Sequence, residues 1–360
     1  MRYHVVCAVL AILLALPAAG RAQPAVPVQA APATRQDVPV VLRNIGTVQA
    51  FYSVLVRARV DGTLDRVFFT EGQEVKAGDP IALIDPRPYQ ATLDAAVAKK
   101  AADEALLANA RADLARYANL ARRDFASHQQ VDTQQATVAQ QQATIAADVA
   151  TIESARLNVA FCHITSPISG RTGLRLVDPG NLIHASDAQG IVTITQLHPI
   201  ALIFTLPQDD LPQIQAAMAR GTPTVFAFSG NDRTELARGT LMTIDNQIDT
   251  ATGTVKLKAE FQNPDDKLWP GLFVNAHLQV NTLKDVVTVP DTALQRGPNG
   301  LYVYLVKPDE HVAMQAVTVT LDDGHLAVIA DGVQAGDRVV TNGQLRLQNG
   351  SRVAVAKASS

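Results

Sequence analysis

Hydrophobic residues change their spacing twice along the chain, and each change marks a change of structure. Between residues 87 and 161 they recur every seven positions. Val131, Val138, Ile145, Ile152 and Val159 form one row with Val149 beside it; Leu93, Leu107 and Leu114 form another, interrupted by Lys100 and flanked by Val97. A repeat of seven keeps one apolar stripe facing a partner helix along the whole length. Glycine is absent from this stretch, Pro88 is its only proline, and Ala, Gln, Asp and Arg fill the remaining positions. The pattern predicts two helices of about 35 and about 33 residues, each reaching ~50 Å at 1.5 Å per residue. They separate within residues 122–132, where Ser127 is an N-cap with Gln130 three residues on. So short a connection makes the helices antiparallel, giving a coiled-coil hairpin.

On either side the apolar period falls to two. Val54, Val56, Ala58 and Val60 alternate before the hairpin and Ile81–Ile84 closes that run; Ile164, Ile191, Val192 and Ile194 frame the return. A spacing is also written twice. Gly62 and Gly72 are ten apart and are followed by Val75, Ala77 and Asp79; Gly170 and Gly180 are ten apart and are followed by Ile183, Ala185 and Asp187. Glycine serves tight, positive-φ turns in such hairpins. Neither copy has enough strands to bury a face, whereas two packed together do. The repeat therefore predicts one small β-sandwich, residues 57–86 plus 162–195, split by the helical excursion at 87–161.

Downstream, residues 196–285, taken with 51–56, read as a β-barrel. Ile200–Leu206 and Val225–Phe228 are strands, and Thr254–Phe261 turns Val255, Leu257, Ala259 and Phe261 inward. Asn263-Pro264 and Pro270-Gly271 are turn signals, and Pro212 opens a short helix over Leu211–Arg220. Residues 286–355 carry further strands at Leu301–Val306, Ala316–Leu321 and Asp337–Val340. The run Val38–Val48 has no local partner and is expected to pair with them, which makes a fourth domain from 35–50 plus 286–355. The fold class is mixed α and β, an elongated chain of small domains in a line.

Composition narrows the chemistry. The chain has 360 residues, 47% hydrophobic but only 5% aromatic, which favours small β-modules over one large core. A formal net charge of −3 offers no nucleic-acid surface. Residues 1–22 read as a cleavable secretory signal, with Arg2 before the apolar run Val5–Leu16 and small residues before Gln23. The run is shorter than the ~20 residues a membrane span needs. Cys7 lies inside the signal, so Cys162 is the lone cysteine of the exported chain. No two of the eight histidines are spaced for a metal. His163 and Cys162 point to opposite faces of a strand, and Asp209-Asp210 and Asp265-Asp266 read as solvated turns. There is no phosphate loop or nucleophile elbow. An enzyme, a metal site and a cofactor are not expected.

Two glycine half-motifs separated by a coiled-coil hairpin resemble the split biotinyl/lipoyl module of the periplasmic adaptor (membrane fusion) proteins of the HlyD/AcrA superfamily. HPIALIFTLPQDDL (198–211), IDNQIDTATGTVKLKAEFQNPDDKLWPGLFVNAHL (244–278) and AGDRVVTNG (335–343) are similar, in the same order, to its MdtA and AcrA branch, which serves RND multidrug efflux pumps. The resemblance covers most of residues 35–355. It implies a lipoyl-like sandwich, a β-barrel and a membrane-proximal β domain. In lipoyl carriers a lysine on the turn between the halves takes the cofactor; here that turn is the hairpin, and Lys99 and Lys100 lie inside a helix, so no lipoylation is expected. The four methionines are scattered, unlike those of metal-exporting relatives. Also implied are an inner-membrane RND transporter and a TolC-like outer-membrane channel as partners, self-assembly into trimers or hexamers, and a periplasmic location. The hairpin tip RYANLARRDFAS carries Arg116, Leu120 and Ser127 at the spacing by which the family contacts that channel. Arg116 and Leu120 share a helix face one turn apart, and Ser127 starts the returning helix. An adaptor of an ABC-type or type I secretion exporter is the alternative; a carrier module or a bare scaffold fits less of the chain.

Overall fold

The computed structural model describes residues 25–356, so the signal expected at residues 1–22, with Cys7, lies outside the described residues. The chain forms two compact units, Leu42–Leu278 and the residues flanking it on both sides.

Within Leu42–Leu278 two four-stranded sheets form a sandwich, and each sheet draws strands from both glycine motifs. One runs Ser53–Val56, Val192–Thr195, Gly170–Arg175, Glu74–Val75; the other runs His163–Thr165, Pro80–Ile84, Gly62–Val67, Leu182–Ile183. The copies exchange equivalent hydrogen bonds. Gly72 N–H donates to the Thr172 carbonyl at 3.1 Å, and Gly180 N–H donates to that of Leu64 at 2.7 Å. The Asp79 carboxylate accepts from Lys76 N–H at 2.8 Å, as Asp187 accepts from His184 N–H at 2.7 Å. Between the sheets lie Leu64, Ile81, Ile84, Cys162, Ile191, Val192 and Ile194, all fully buried. Gly72 and Gly180 occupy left-handed backbone at φ 76° and 93°, and Gly62 sits at φ 151°. Gly170 is needed for a different reason: a Cβ there would lie 2.5 Å from the Thr195 carbonyl oxygen.

Two helices, α1 (Arg87–Ala121) and α2 (His128–Cys162), leave and re-enter this sandwich side by side. The barrel follows. Thr224–Phe228, Glu235–Asp249, Thr254–Phe261 and Ile200–Pro207 are consecutive neighbours. Thr224–Phe228 also pairs with residues 275–278, and Val48 exchanges hydrogen bonds with Gly271 and Leu272, which closes the ring. The period-two expectation is met, since Val255, Leu257, Ala259 and Phe261 are all buried. A third helix, α3 (Leu211–Arg220), buries Ile214 and Ala217.

Three strand assignments differ from the sequence reading. Ser53–Val56, grouped there with the barrel, pairs instead with Val192–Thr195 in the sandwich, where Val56 lies opposite Val192 and becomes buried. Residues 46–50, grouped with the membrane-proximal domain, pair with Ile200–Phe204 in the barrel. A Cβ at Gly46 would stand 2.9 Å from the Phe204 side chain, so this strand enters the barrel only as glycine at that point. Ala316–Leu321 is not one strand: Val312–Ala316 and Thr318–Asp322 belong to different sheets.

In the flanking unit it is Thr34 and Arg35, ahead of the Val38–Val48 run expected to pair there, that bond to Thr288 and Asp285. The residues here that pair with the C-terminal strands lie earlier. Val26–Pro32 runs antiparallel to Arg338–Asn342 and parallel to Val353–Val355. It lies between those two strands, and its prolines, Pro27 and Pro32, hide it from a propensity reading, which expects proline only at sheet edges or strand ends.

Candidate functional site

The hairpin seam contains two rows per helix, of which the sequence reading saw one. In α2 the valine and isoleucine row is joined, three residues on, by Gln134, Gln141, Asp148, Ala155 and Cys162; in α1 Ala96, Asp103, Ala110 and Tyr117, again three residues on, complement the leucine row. Polar members kept this second row out of a hydrophobic search. Gln134 Nε2 donates to the Ala110 carbonyl across the seam at 3.1 Å. Nearer the base, Lys99 Nζ bridges Asp103 Oδ2 at 2.8 Å and Asp148 Oδ1. Hydrogen bonding to Lys99 holds the Asp103 carboxyl below its ordinary range and, reciprocally, raises the Lys99 ammonium. Asp148 is buried, so this polar layer admits few other registers.

At the far end α1 stops in a Schellman turn. Phe125 N–H donates to the Leu120 carbonyl and Asp124 N–H to that of Ala121, both at 3.0 Å, while Asp124 takes a left-handed φ of 61°. The next helix opens with a capping box: Ser127 Oγ accepts from Gln130 N–H at 3.3 Å, and Gln130 Oε1 accepts from Ser127 N–H at 3.1 Å. All three residues singled out by sequence lie on this tip. Arg116 is 68% exposed and its Nη1 lies 2.9 Å from Asp113 Oδ1. Leu120 is 37% exposed, at the edge of the seam. Ser127 is the cap just described. Phe125, which the sequence reading passed over, is 79% exposed. Its place as the one large apolar residue among the charges of RRDF, residues 122–125, was legible in the sequence; that its ring stays uncovered was not.

Elsewhere, Cys162 is buried at the end of α2, where desolvation pushes its thiol up, and His163 is exposed beside it. Asp266, read as part of a solvated turn, lies 3.1 Å from His198 Nε2 and 3.6 Å from Arg171 Nη1, and Arg171 stacks over Trp269. Among the described residues no group of three or more His, Cys, Asp or Glu could hold a metal ion, and no helix is long and apolar enough to cross a membrane.

Three family models match the chain. They describe the barrel-sandwich hybrid domain of RND MFPs over residues 52–195, the β-barrel domain of RND MFPs over 199–282, and their C-terminal permuted SH3 domain over 285–346. Over 342 residues the chain is 48% identical to the multidrug resistance protein MdtA of Pantoea ananatis, covering 95% of this chain and 83% of that one. It is 46% identical over 341 residues to MdtA of Escherichia coli, covering 94% and 82%. The crystal structure of MacA from Actinobacillus actinomycetemcomitans shares the fold with a TM-score of 0.54 at 18% identity, over 87% of this chain and 99% of that one.

Proposed function

Since the chain belongs to the RND membrane fusion proteins, the MdtA-like members among them, we propose that it works as the periplasmic adaptor of a tripartite multidrug efflux pump. Adaptors of this kind work with an inner-membrane transporter and an outer-membrane channel. In this chain the transporter is the proton-driven RND protein and the channel is TolC-like. The adaptor itself carries out no chemistry; the transporter supplies the energy. Export through a signal at residues 1–22 and assembly into trimers or hexamers belong to the same reading. The ABC-type and type I secretion alternative is not favoured, because the matching relatives are MdtA proteins and the domain models are those of RND adaptors.

The observation that carries the reading is the hairpin. Its α1 and α2, 35 residues each and so about 50 Å long, emerge from an interlocked sandwich and end in a fixed, charged turn. A rod with an ordered tip suits end-on docking. Arg116 offers hydrogen-bond donors, Leu120 an apolar contact, and Ser127 sets the turn. The test is Arg116→Asp in a strain that depends on this pump. Drug resistance is expected to be lost while the protein still folds and co-purifies with its transporter. Undiminished resistance would overturn the assignment of the tip.

A further inference from the structure

We propose that Asp266 is a positioning residue, fixing the angle at which the hairpin-bearing sandwich sits on the barrel; its use in docking rests on the reading above. Both domains lie within the unit Leu42–Leu278, yet among the described residues no strand of one pairs with a strand of the other. The chain crosses between them twice, at residues 51–52 and 196–199. The junction is open on both flanks of Arg171. Clefts of about 340 and 380 Å³ lie there, the first lined also by Glu74 and His198, the second by Trp269 and Pro270. With no shared sheet and with space on either side, side chains decide the angle.

Those side chains converge on Asp266, which belongs to the barrel. Its Oδ1 is closed off from solvent and faces Nε2 of His198, in the second crossing, at 3.1 Å. Its Oδ2 lies 3.6 Å from Nη1 of Arg171, in the sandwich. Two further contacts span the same gap. His198 Nε2 stands 3.6 Å from Glu74 Oε1 of the sandwich, and the Arg171 guanidinium lies 5.3 Å from the centre of the Trp269 ring of the barrel. The carboxylate is rigidly presented. Asn263 is buried, its Nδ2 donates to the carbonyls of Leu268 at 2.9 Å and Leu197 at 3.3 Å, and its Oδ1 accepts from Leu268 N–H at 3.0 Å. The turn is thus tied to itself and to the crossing, and it does not follow the sandwich when the sandwich tilts. Each ion pair is more than a third exposed and contributes little alone; several charges sharing one carboxylate act as a network. The leverage is large, because a tilt of about 10° at the base of a ~50 Å rod moves its tip by about 9 Å.

The experiment measures, by electron–electron double resonance, the spread of distances between a spin label at Arg66→Cys on the sandwich and one at Gln215→Cys on α3 of the barrel. It uses the full chain with Cys7→Ser; Cys162 is buried and takes no label. Asp266→Arg should widen the distribution about twofold, because it turns the attraction of Arg171 into repulsion. Adding Arg171→Asp to Asp266→Arg should narrow it again, which lost packing alone would not do. In the chain with neither change, salt at about 1 M should also widen it by screening the exposed pairs. Drug resistance should fall with Asp266→Arg and recover with the reversed pair. An unchanged width in Asp266→Arg, or a width that the reversed pair does not restore, overturns the assignment whatever the resistance. Should Asp266→Arg not fold, an unchanged width in salt overturns it. A widened distribution with undiminished resistance supports the positioning role and counts instead against the docking reading.

Discussion

His277 shows how far one residue's surroundings can depart from its sequence context. It lies on the barrel strand opposite Phe226, stacks on Phe228 with ring centroids 4.4 Å apart, and places Nε2 2.7 Å from Asp232 Oδ1. Burial is the largest influence and lowers the imidazole from its ordinary 6.5; Asp232 opposes this and Arg43 reinforces it. With the folded value below the unfolded one, the unfolded chain takes up the proton first as pH falls. The barrel therefore keeps its full stability above about 6.5 and loses some as pH drops below it. Urea unfolding at pH 7 and pH 5 should show a larger fall for the native chain than for His277→Phe, which keeps the stack and removes the titration. An equal fall in both would show that other groups govern the acid response. In sequence His277 is one of eight scattered histidines, and nothing local announces its burial.

Among elements, the hairpin most clearly ties sequence to function, because its register decides where the tip side chains sit. The apolar rows leave that register loosely specified, and the layer of Lys99, Asp103 and Asp148 restricts it. Removing only Lys99 leaves a buried carboxylate without its cation, whereas replacing the carboxylate as well removes the cost of burying it. Lys99→Met should lower the thermal midpoint of the hairpin, followed by circular dichroism at 222 nm, and Lys99→Met with Asp148→Leu should recover it. A double variant no better than the single would show that the layer does not act as a unit. At the opposite end, Ser127→Ala should cost about 1 kcal/mol, the usual value of an N-cap. Ser127→Asp should retain most of that stability. The first row of the seam was legible because valine, isoleucine and leucine recur at seven; the second was not, because glutamine and aspartate occupy positions that a hydrophobic search skips.

For the whole molecule the decisive feature is interlocking. Strands before the hairpin hydrogen-bond to strands after it in both sheets of the sandwich, as in Glu74 with Arg171 and Gly62 with Ile183. The hairpin can then vary in length without touching that core. Deleting residues 94–107 together with 140–153 removes two heptads from each helix, about 21 Å at 1.5 Å per residue, and spares both base and tip. The shortened protein should unfold with the native midpoint by near-UV signals of its β-domains, yet confer no drug resistance; preserved resistance would contradict a role for the hairpin's reach. By itself the sequence determined the hairpin, the doubled glycine motif, the inward face of Thr254–Phe261 and the tip turn. These are set by periodicity and by local hydrogen bonds, which neighbouring residues encode. Only the tertiary structure decided that Ser53–Val56 joins the sandwich, that residues 46–50 join the barrel, that Val26–Pro32 pairs with Arg338–Asn342, and that Phe125 is the ring left exposed. Which partner a strand takes, and which apolar side chain stays uncovered, depends on surfaces brought together from distant parts of the chain, and no local pattern records them.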